Sequence, residues 1–205
     1  LTEDIDSSTA VRLMNPLSSD LDTLRQSLMF SALEAVNRNI SYRNADLRFY
    51  ELGKVYNKYG EKYVEDVRLS ILMTGKFNGE SWYETQRDVT FYDLRAVIDR
   101  VMCRLGIKEL STRPCDGDSF VEGVDIYYKK TLVARAGRVS KKILKAMDID
   151  QAVYYADVMW DAVVELARRV KVTCEDLPKY PSVRRDLALL VDKDVTFQQL
   201  YDVAM

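Results

Sequence analysis

The sequence predicts an α+β fold in which an antiparallel sheet is flanked by helices, and two kinds of pattern predict it. Apolar residues recur at three- and four-residue steps in residues 21–40 and 94–105, which is typical of amphipathic helices. Residues 47–56 and 67–75 are rich in strand-forming side chains and lie on either side of a turn at Gly60. Strands that occur in runs, with helices between them and short connections, are typical of an antiparallel sheet with helices packed on it.

The first predicted helix is about 20 residues long and carries one broad apolar stripe. Ser19 and Asp22 have the spacing of a capping box just ahead of that stripe in residues 21–40. A short alternating segment at residues 10–14 precedes the helix and is interpreted as a strand that Pro16 ends.

The remaining elements of the body follow in order. Residues 47–56 are apolar on both strand faces, which predicts an interior strand covered on both sides. Thr90 and Asp93 form a second capping-box pair, and Gly106 is placed to end the helix that follows. Two strands around residues 129–130 predict a hairpin, although Lys-Lys is poor turn chemistry. A helix at residues 141–147, a strand at residues 152–159 and a helix at residues 161–170 complete the body.

A second unit is predicted near the C-terminus. Residues 171–180 have little periodicity and are interpreted as a connector. Residues 183–191 are predicted to form a strand, and Thr196 is predicted to cap a helix after it. We therefore expect two domains, residues 1–175 and a truncated domain in residues 176–205.

Composition excludes several classes of function. The 205 residues are 47% hydrophobic and 30% charged with a formal net charge of -2, which indicates a soluble globular chain without a global positive field for nucleic acid or membrane. The chain has no histidine, so Ser-His-Asp and Cys-His catalysis and histidine-containing zinc sites are impossible within it. Its three cysteines are widely spaced and form no CxxC pair, which argues against a disulfide framework and a thiolate metal site. We expect a cytoplasmic protein.

Three segments, at residues 15–40, 47–56 and 180–192, resemble segments in the same order in the β subunit of bacterial phenylalanyl-tRNA synthetase, and residues 89–107 resemble it more weakly. In that family this region is a second copy of the class II aminoacyl-tRNA synthetase catalytic fold, and it serves assembly rather than chemistry. The resemblance implies a class II synthetase-like antiparallel sheet in the first domain. It also implies that the second domain is the start of a ferredoxin-like anticodon-binding domain, so we expect the chain to be a piece of a longer subunit.

The resemblance also allows the catalytic motifs to be tested. Active class II synthetases carry Arg-x-Glu on a strand and a later Gly-x-Gly-x-x-x-Arg, and the two arginines bind the phosphates of ATP. Here Arg48 and Glu51 are three positions apart, so a strand points their side chains to opposite faces. No glycine follows Gly137, so the second motif is missing. We therefore expect a degenerate active site and no catalytic residue, and we interpret Glu51 as a structural carboxylate rather than a general base.

Candidate interface residues come from the resemblance alone. In the family, the helix at residues 21–40 joins a four-helix bundle between subunits. The candidate subunit-interface residues are Pro16, Leu21, Leu24, Arg25, Leu28 and Ala32. The same apolar stripe could instead face its own sheet. Arg184 and Arg185 are candidate tRNA contacts in the full-length protein, with a solvated charged surface as the alternative.

The sequence therefore predicts the non-catalytic core of a phenylalanyl-tRNA synthetase β subunit. By resemblance, its partner is the α subunit, in an αβ heterodimer and an (αβ)₂ heterotetramer, and tRNA binds through the full-length β subunit. We expect no cofactor or metal in this chain, whereas the complete enzyme would use ATP and magnesium to join phenylalanine to its tRNA. The alternatives are a free-standing class II-like small-molecule ligase, which needs an intact phosphate clamp, and an RNA-binding module, which the acidic balance disfavours.

Overall fold

A six-stranded antiparallel sheet lies at the centre of the first of two units, Leu1–Val172 and Thr173–Met205. The computed structural model describes residues 5–16, 18, 22–115, 117–171, 179–181 and 183–204. After a short 3₁₀ helix at Ser7–Thr9, the elements of the first unit are α1 (Met29–Ser41), β1 (Leu47–Tyr59), β2 (Lys62–Thr74), α2 (Phe91–Arg104), β3 (Leu110–Pro114), β4 (Phe120–Tyr128), β5 (Thr131–Val139), α3 (Lys141–Ala146), β6 (Val153–Met159) and α4 (Trp160–Ala167). The predicted α+β class is confirmed.

The strands follow the order β1-β2-β6-β5-β4-β3, with every neighbouring pair antiparallel. Gly60, with a φ of 62°, turns the chain between β1 and β2. The predicted hairpin around residues 129–130 is confirmed, and Lys129 adopts a left-handed φ of 56° in place of the usual Asn or Gly. The capping box at α2 is also confirmed, because the Thr90 N–H donates to the Asp93 carboxylate over 2.8 Å.

Helices cover both faces of the sheet. Helices α1 and α3 pack on one face, where Leu33 of α1 and Ile143 of α3 are fully buried together with Tyr155 of β6. Helices α2 and α4 pack on the other face, where Ile98 of α2 and Val163 of α4 are fully buried. Two apolar cores therefore sandwich the sheet, as the alternation of side chains along each strand requires.

The first helix is shorter than predicted. It begins at Met29, and residues 22–24, which were predicted to be helical, pair instead in the manner of a strand: the Leu24 N–H donates to the Val11 carbonyl over 2.9 Å, and Arg12 forms a β-bridge with Thr23. The Ser27 hydroxyl accepts a hydrogen bond from the Met29 N–H over 3.1 Å. Backbone pairing with residues 10–14 thus overrides the helical periodicity of this segment. The predicted cap residue Ser19 lies outside the described residues.

The prediction of β1 as an interior strand was wrong. Strand β1 is at the edge of the sheet, and on its α2 side Tyr50 is 81% exposed and Leu52 is 55% exposed. Apolar residues on both faces of a segment therefore did not mean that both faces are covered within this unit.

In the second unit, α5 (Phe197–Ala204) confirms the predicted C-terminal helix. The Thr196 N–H donates to the Gln199 side chain over 2.8 Å, and the Gln199 N–H donates back to the Thr196 hydroxyl over 3.4 Å. The described residues 183–191, in contrast, form no strand, so that prediction was wrong. A strand needs a neighbour to satisfy its backbone, and Leu187 here is 82% exposed. The assignment of residues 176–205 to an anticodon-binding domain stays a prediction.

Candidate functional site

A row of polar residues crosses all six strands on the α1 side of the sheet. In strand order the row consists of Glu51, Ser70, Asp157, Arg135, Asp125 and Arg113. Each residue is the direct cross-strand partner of the next, so all six side chains project from the same face. Charged residues in the middle of otherwise apolar strands are the candidate site of this unit.

Carboxylates hold the two arginines at the centre of the site. Arg135 binds Asp125 through two hydrogen bonds of 2.7 and 3.2 Å. Arg68, two residues before Ser70 on β2, donates to Asp157 over 3.2 Å and lies 3.6 Å from Asp66. Both guanidinium groups are therefore already paired with carboxylates of the protein itself.

Two groups of the site have raised pKa values. Burial raises the pKa of Asp157, while the neighbouring Arg68 and Arg135 act in the opposite direction without cancelling it. Burial also raises the pKa of Tyr155 well above its usual value, and the charge of Asp157 adds to this shift. The Tyr155 hydroxyl is enclosed near Ser70 but makes no hydrogen bond of ordinary geometry with a described residue. Tyr155 is therefore a neutral phenol and not a base at neutral pH.

Asp157 and Arg135 of the polar row, together with Arg68, line one side of a cleft of about 350 Å³. Phe120 and Tyr155 contribute apolar surface to it, and the opposite wall comes from the N-terminal segment. There the Gln26 side-chain amide donates to the Asp6 carbonyl and the Thr9 hydroxyl, each over 2.9 Å. The cleft thus lies between the sheet and residues that precede α1.

The structure separates Arg48 from Glu51, as predicted. The Arg48 guanidinium donates to the Phe77 carbonyl and lies 5.1 Å from the centre of the Phe77 ring, on the α2 side. Glu51 is on the α1 side, where its carboxylate lies 2.7 Å from Arg25. The prediction that the two side chains share no pocket is confirmed, and Glu51 has a structural ion pair.

The structure places the candidate interface residues in different environments. Leu28 and Ala32 are buried in the first unit, with exposures of 1% and 9%, and Leu24 is half-buried. Pro16 and Arg25 are exposed. Leu21 lies outside the described residues. The outward face of α1 carries the polar residues Ser31, Glu34 and Arg38. The apolar stripe of α1 therefore faces its own sheet, as the alternative interpretation had it. The role of the candidate residues in a subunit interface stays a proposal.

In the second unit, Arg184 and Arg185 are exposed. The Arg184 guanidinium lies 3.5 Å from the carboxylate of Asp186, and both side chains are solvent-accessible. A contact of these two arginines with tRNA stays a proposal.

Sequence reasoning did not single out the polar row, although a signal for it is present. Arg135, Asp157 and Asp125 each interrupt an apolar strand segment at a position that strand alternation places on one face. Only the strand order brings them together, and the sequence does not give it. Within the described residues there is no group of three acidic or cysteine side chains placed to hold a metal, and no helix is long and apolar enough to cross a membrane.

Solved structures with the same fold include a pyrrolysyl-tRNA synthetase from Desulfitobacterium hafniense. The match has a TM-score of 0.61 at 14% identity and covers 82% of this chain and 60% of that chain. A second structure of a pyrrolysyl-tRNA synthetase from the same organism matches with a TM-score of 0.57 at 16% identity, over 78% of this chain and 53% of that one. At these identities the likeness shows the fold, which is that of the class II synthetase sheet.

Curated relatives are more similar in sequence. The phenylalanine-tRNA ligase β subunit of Bacteroides thetaiotaomicron is 38% identical over 98% of this chain, and that of Porphyromonas gingivalis is 35% identical over 95%. The corresponding subunit of Thermotoga maritima is 28% identical over 89%. The chain spans 26%, 25% and 23% of the length of these three proteins.

A family described as the phenylalanyl-tRNA synthetase beta chain CLM domain matches residues 1–160, which include the whole six-stranded sheet. The chain therefore belongs to the family of phenylalanyl-tRNA synthetase β-chain CLM domains.

Proposed function

We propose that this chain is the non-catalytic core of the β subunit of a phenylalanine-tRNA ligase and that it supports assembly with the α subunit. Family membership and the names of the relatives support the subunit assignment. In this proposal the complete enzyme charges tRNA with phenylalanine in the cytoplasm, with ATP and magnesium at an active site that the α subunit supplies. The assembly is an αβ heterodimer that pairs into an (αβ)₂ heterotetramer.

The pairing of Arg68 and Arg135 with carboxylates is the observation that carries the non-catalytic part. A phosphate that entered the cleft would have to displace Asp157 or Asp125 from an arginine and would then lie beside a freed carboxylate. The partial burial of the site strengthens this repulsion. Arg48, the residue closest to the ATP-binding arginine of active synthetases, is on the other face of the sheet. Arg68 and Arg135 line the cleft, but both are paired with carboxylates and neither is available to the phosphates of ATP.

Calorimetric titration of the chain with MgATP tests the non-catalytic part. We expect no heat of binding up to millimolar nucleotide, both for the chain and for the variant Arg48→Ala. An ATP affinity in the micromolar range that is lost on Arg68→Ala would overturn this part and favour the free-standing ligase.

Co-expression with a phenylalanyl-tRNA synthetase α subunit tests the assembly part. We expect co-elution in size-exclusion chromatography, weakened by the charge reversal Arg25→Glu together with Pro16→Asp at the exposed interface candidates. Lys130→Glu, in an exposed turn, is the matched control. Leu28 is unsuitable for this test because it is buried, so a polar substitution there would unfold the unit. Failure of the unmodified chain to co-elute with any α subunit would contradict the proposal.

We also propose that Arg184 and Arg185 contact tRNA in the full-length β subunit. Replacing both with Ala in that protein should weaken tRNA binding and reduce the slope of log affinity against log salt by about 0.9 for each phosphate that the variant no longer neutralises. Filter binding across a salt series measures the slope. An unchanged slope in the double variant would remove these residues from the tRNA site.

A further inference from the structure

The α2 side of the sheet has an apolar surface that the described residues leave open. Helix α2 packs over β2, β5 and β6, while Tyr50 and Leu52 of β1 remain 81% and 55% exposed. An open groove of about 400 Å³ runs between β1 and α2. We call it the β1 groove; it is lined mainly by Tyr50, Leu69, Ile71, Val97, Val101 and Trp160. Leu52 is the cross-strand partner of the lining residue Leu69 and continues this apolar surface along β1.

The rim of the β1 groove is cationic. Arg100 and Arg104 each lie three residues after one of the groove valines, Val97 and Val101, so the helical repeat places them beside the groove. Arg48 lies at the β1 side of the groove. All three arginines are exposed, and none forms an ion pair with a described residue. Arg48 donates to the Phe77 carbonyl but, like the other two, has no carboxylate partner among the described residues. An apolar floor with such cations at its rim is complementary to an apolar surface flanked by carboxylates.

The dimensions of the surface favour a helix as the occupant. Two strands side by side are about 10 Å wide, which equals the diameter of a helix with its side chains. The stretch of β1 from Arg48 to Lys54 extends about 20 Å, the length of about 13 helical residues. An added strand is less suitable, because Arg25 already occupies part of the free edge of β1. Its Nε donates to the Lys54 carbonyl over 2.9 Å, and its carbonyl accepts from the Tyr56 N–H over 2.9 Å.

From these observations we propose that the β1 groove binds an amphipathic α-helix of a protein partner, with an apolar face flanked by aspartate or glutamate residues. The groove lies on the opposite face of the sheet from α1, so it is a separate surface from the predicted α-subunit interface. The proposal does not depend on the catalytic state of the cleft, which is also on the α1 face.

The test uses a fluorescein-labelled, hydrocarbon-stapled helix of about 14 residues with leucines on one face and glutamates on both flanks. A matched peptide carries lysine at each glutamate position. Fluorescence anisotropy with the complete chain should show binding of the glutamate peptide that weakens with salt. Leu52→Asp and the pair Arg100→Glu with Arg104→Glu should each weaken binding at least about tenfold.

Two controls separate this effect from unfolding and from general charge. Arg38→Glu, on the exposed face of α1, and Tyr92→Ser, on the outer side of α2, should leave the affinity within about twofold. Circular dichroism should show that every variant keeps the fold, since all these side chains are exposed.

Equal binding of the lysine peptide, or an affinity that neither set of groove substitutions changes, would overturn the proposal. Self-association of the chain that Leu52→Asp abolishes would also overturn it, because the occupant would then be a second copy.

Discussion

The guanidinium of Arg25 lies 2.7 Å from the carboxylate of Glu51, and this pair ties the segment before α1 to the edge strand of the sheet. The Arg25 side chain also donates to the Lys54 carbonyl, while its own carbonyl accepts from the Tyr56 N–H. One residue thus satisfies backbone groups on the open side of β1 and neutralises the carboxylate of Glu51. Arg25 therefore stabilises the unit and also keeps part of the free edge of β1 from pairing with a strand of another chain.

We expect Arg25→Ala to lower the free energy of unfolding by about 1 kcal/mol, because it removes a part-exposed ion pair and one side-chain hydrogen bond to the Lys54 carbonyl but keeps the backbone hydrogen bond from Tyr56. Urea unfolding followed by circular dichroism measures this change. Lys130→Ala, at an exposed turn, should change stability by less than about 0.5 kcal/mol. Equal stabilities of the two variants would show that the Arg25 side chain does not hold the edge of β1.

Asp93, at the start of α2, is expected to make stability depend on acidic pH. Two hydrogen bonds of 2.7 Å from Arg87, together with donors of Thr90, hold the pKa of Asp93 well below its usual range. A lowered folded-state pKa adds stability above the unfolded pKa of about 4, and this contribution is lost as the pH falls towards the folded value.

Asp93→Asn should therefore reduce stability by about 1 to 3 kcal/mol at neutral pH, and the difference should shrink below about pH 4. Unfolding curves for both proteins across a pH series test this. Asp99→Asn, which removes a half-buried pair with Arg95 and no capping bond, is the control and should give a smaller difference. A penalty for Asp93→Asn that is independent of pH would contradict the charge-based explanation.

Asp157, at the centre of the cleft, should show the opposite pH dependence. Its pKa is raised by burial, so the native state binds a proton more readily than the unfolded state. The contribution of this group to stability is greatest at low pH and falls as the pH rises above about 4.

We expect Asp157→Asn to change stability by less than about 1 kcal/mol at neutral pH, because Arg68 keeps Asp66 and Arg135 keeps Asp125. The unmodified protein should gain stability relative to the variant as the pH is lowered. A loss of more than about 3 kcal/mol at neutral pH would show instead that Asp157 is an essential partner of a buried charge.

Local signals in the sequence identified most elements correctly, and long-range pairing explains the failures. The cap at Thr90 and the stop at Gly106 gave the bounds of α2, because each acts within a few residues. The start of α1 was missed because residues 22–24 pair with residues 11–13, which their own periodicity does not reveal.

The candidate site shows the same limit. Arg48 and Glu51 are on one strand, so alternation alone predicted their separation correctly. Asp125 and Asp157, in contrast, share the site only because β5 lies between β4 and β6, and strand order was not predictable from the local pattern. The edge position of β1, which leaves Tyr50 exposed, was missed for the same reason.

Gly137 lies against Phe120, a residue that lines the cleft, and no side chain fits at the Gly137 position. It lies opposite Gly123 in the β4–β5 pair, and a Cβ atom there would come within 2.8 Å of the Glu122 carbonyl oxygen and 2.9 Å of both the Gly123 Cα and a Phe120 ring carbon. Since two of these contacts are backbone atoms, the strands themselves would have to shift.

We expect Gly137→Ala to destabilise the protein by about 1 to 3 kcal/mol in urea unfolding. Gly79→Ala, where a Cβ meets nothing within 4 Å, should change stability by less than about 1 kcal/mol. A tolerated Gly137→Ala beside a tolerated control would show that Phe120 and β4 can move apart freely, and that this side of the cleft is not rigid.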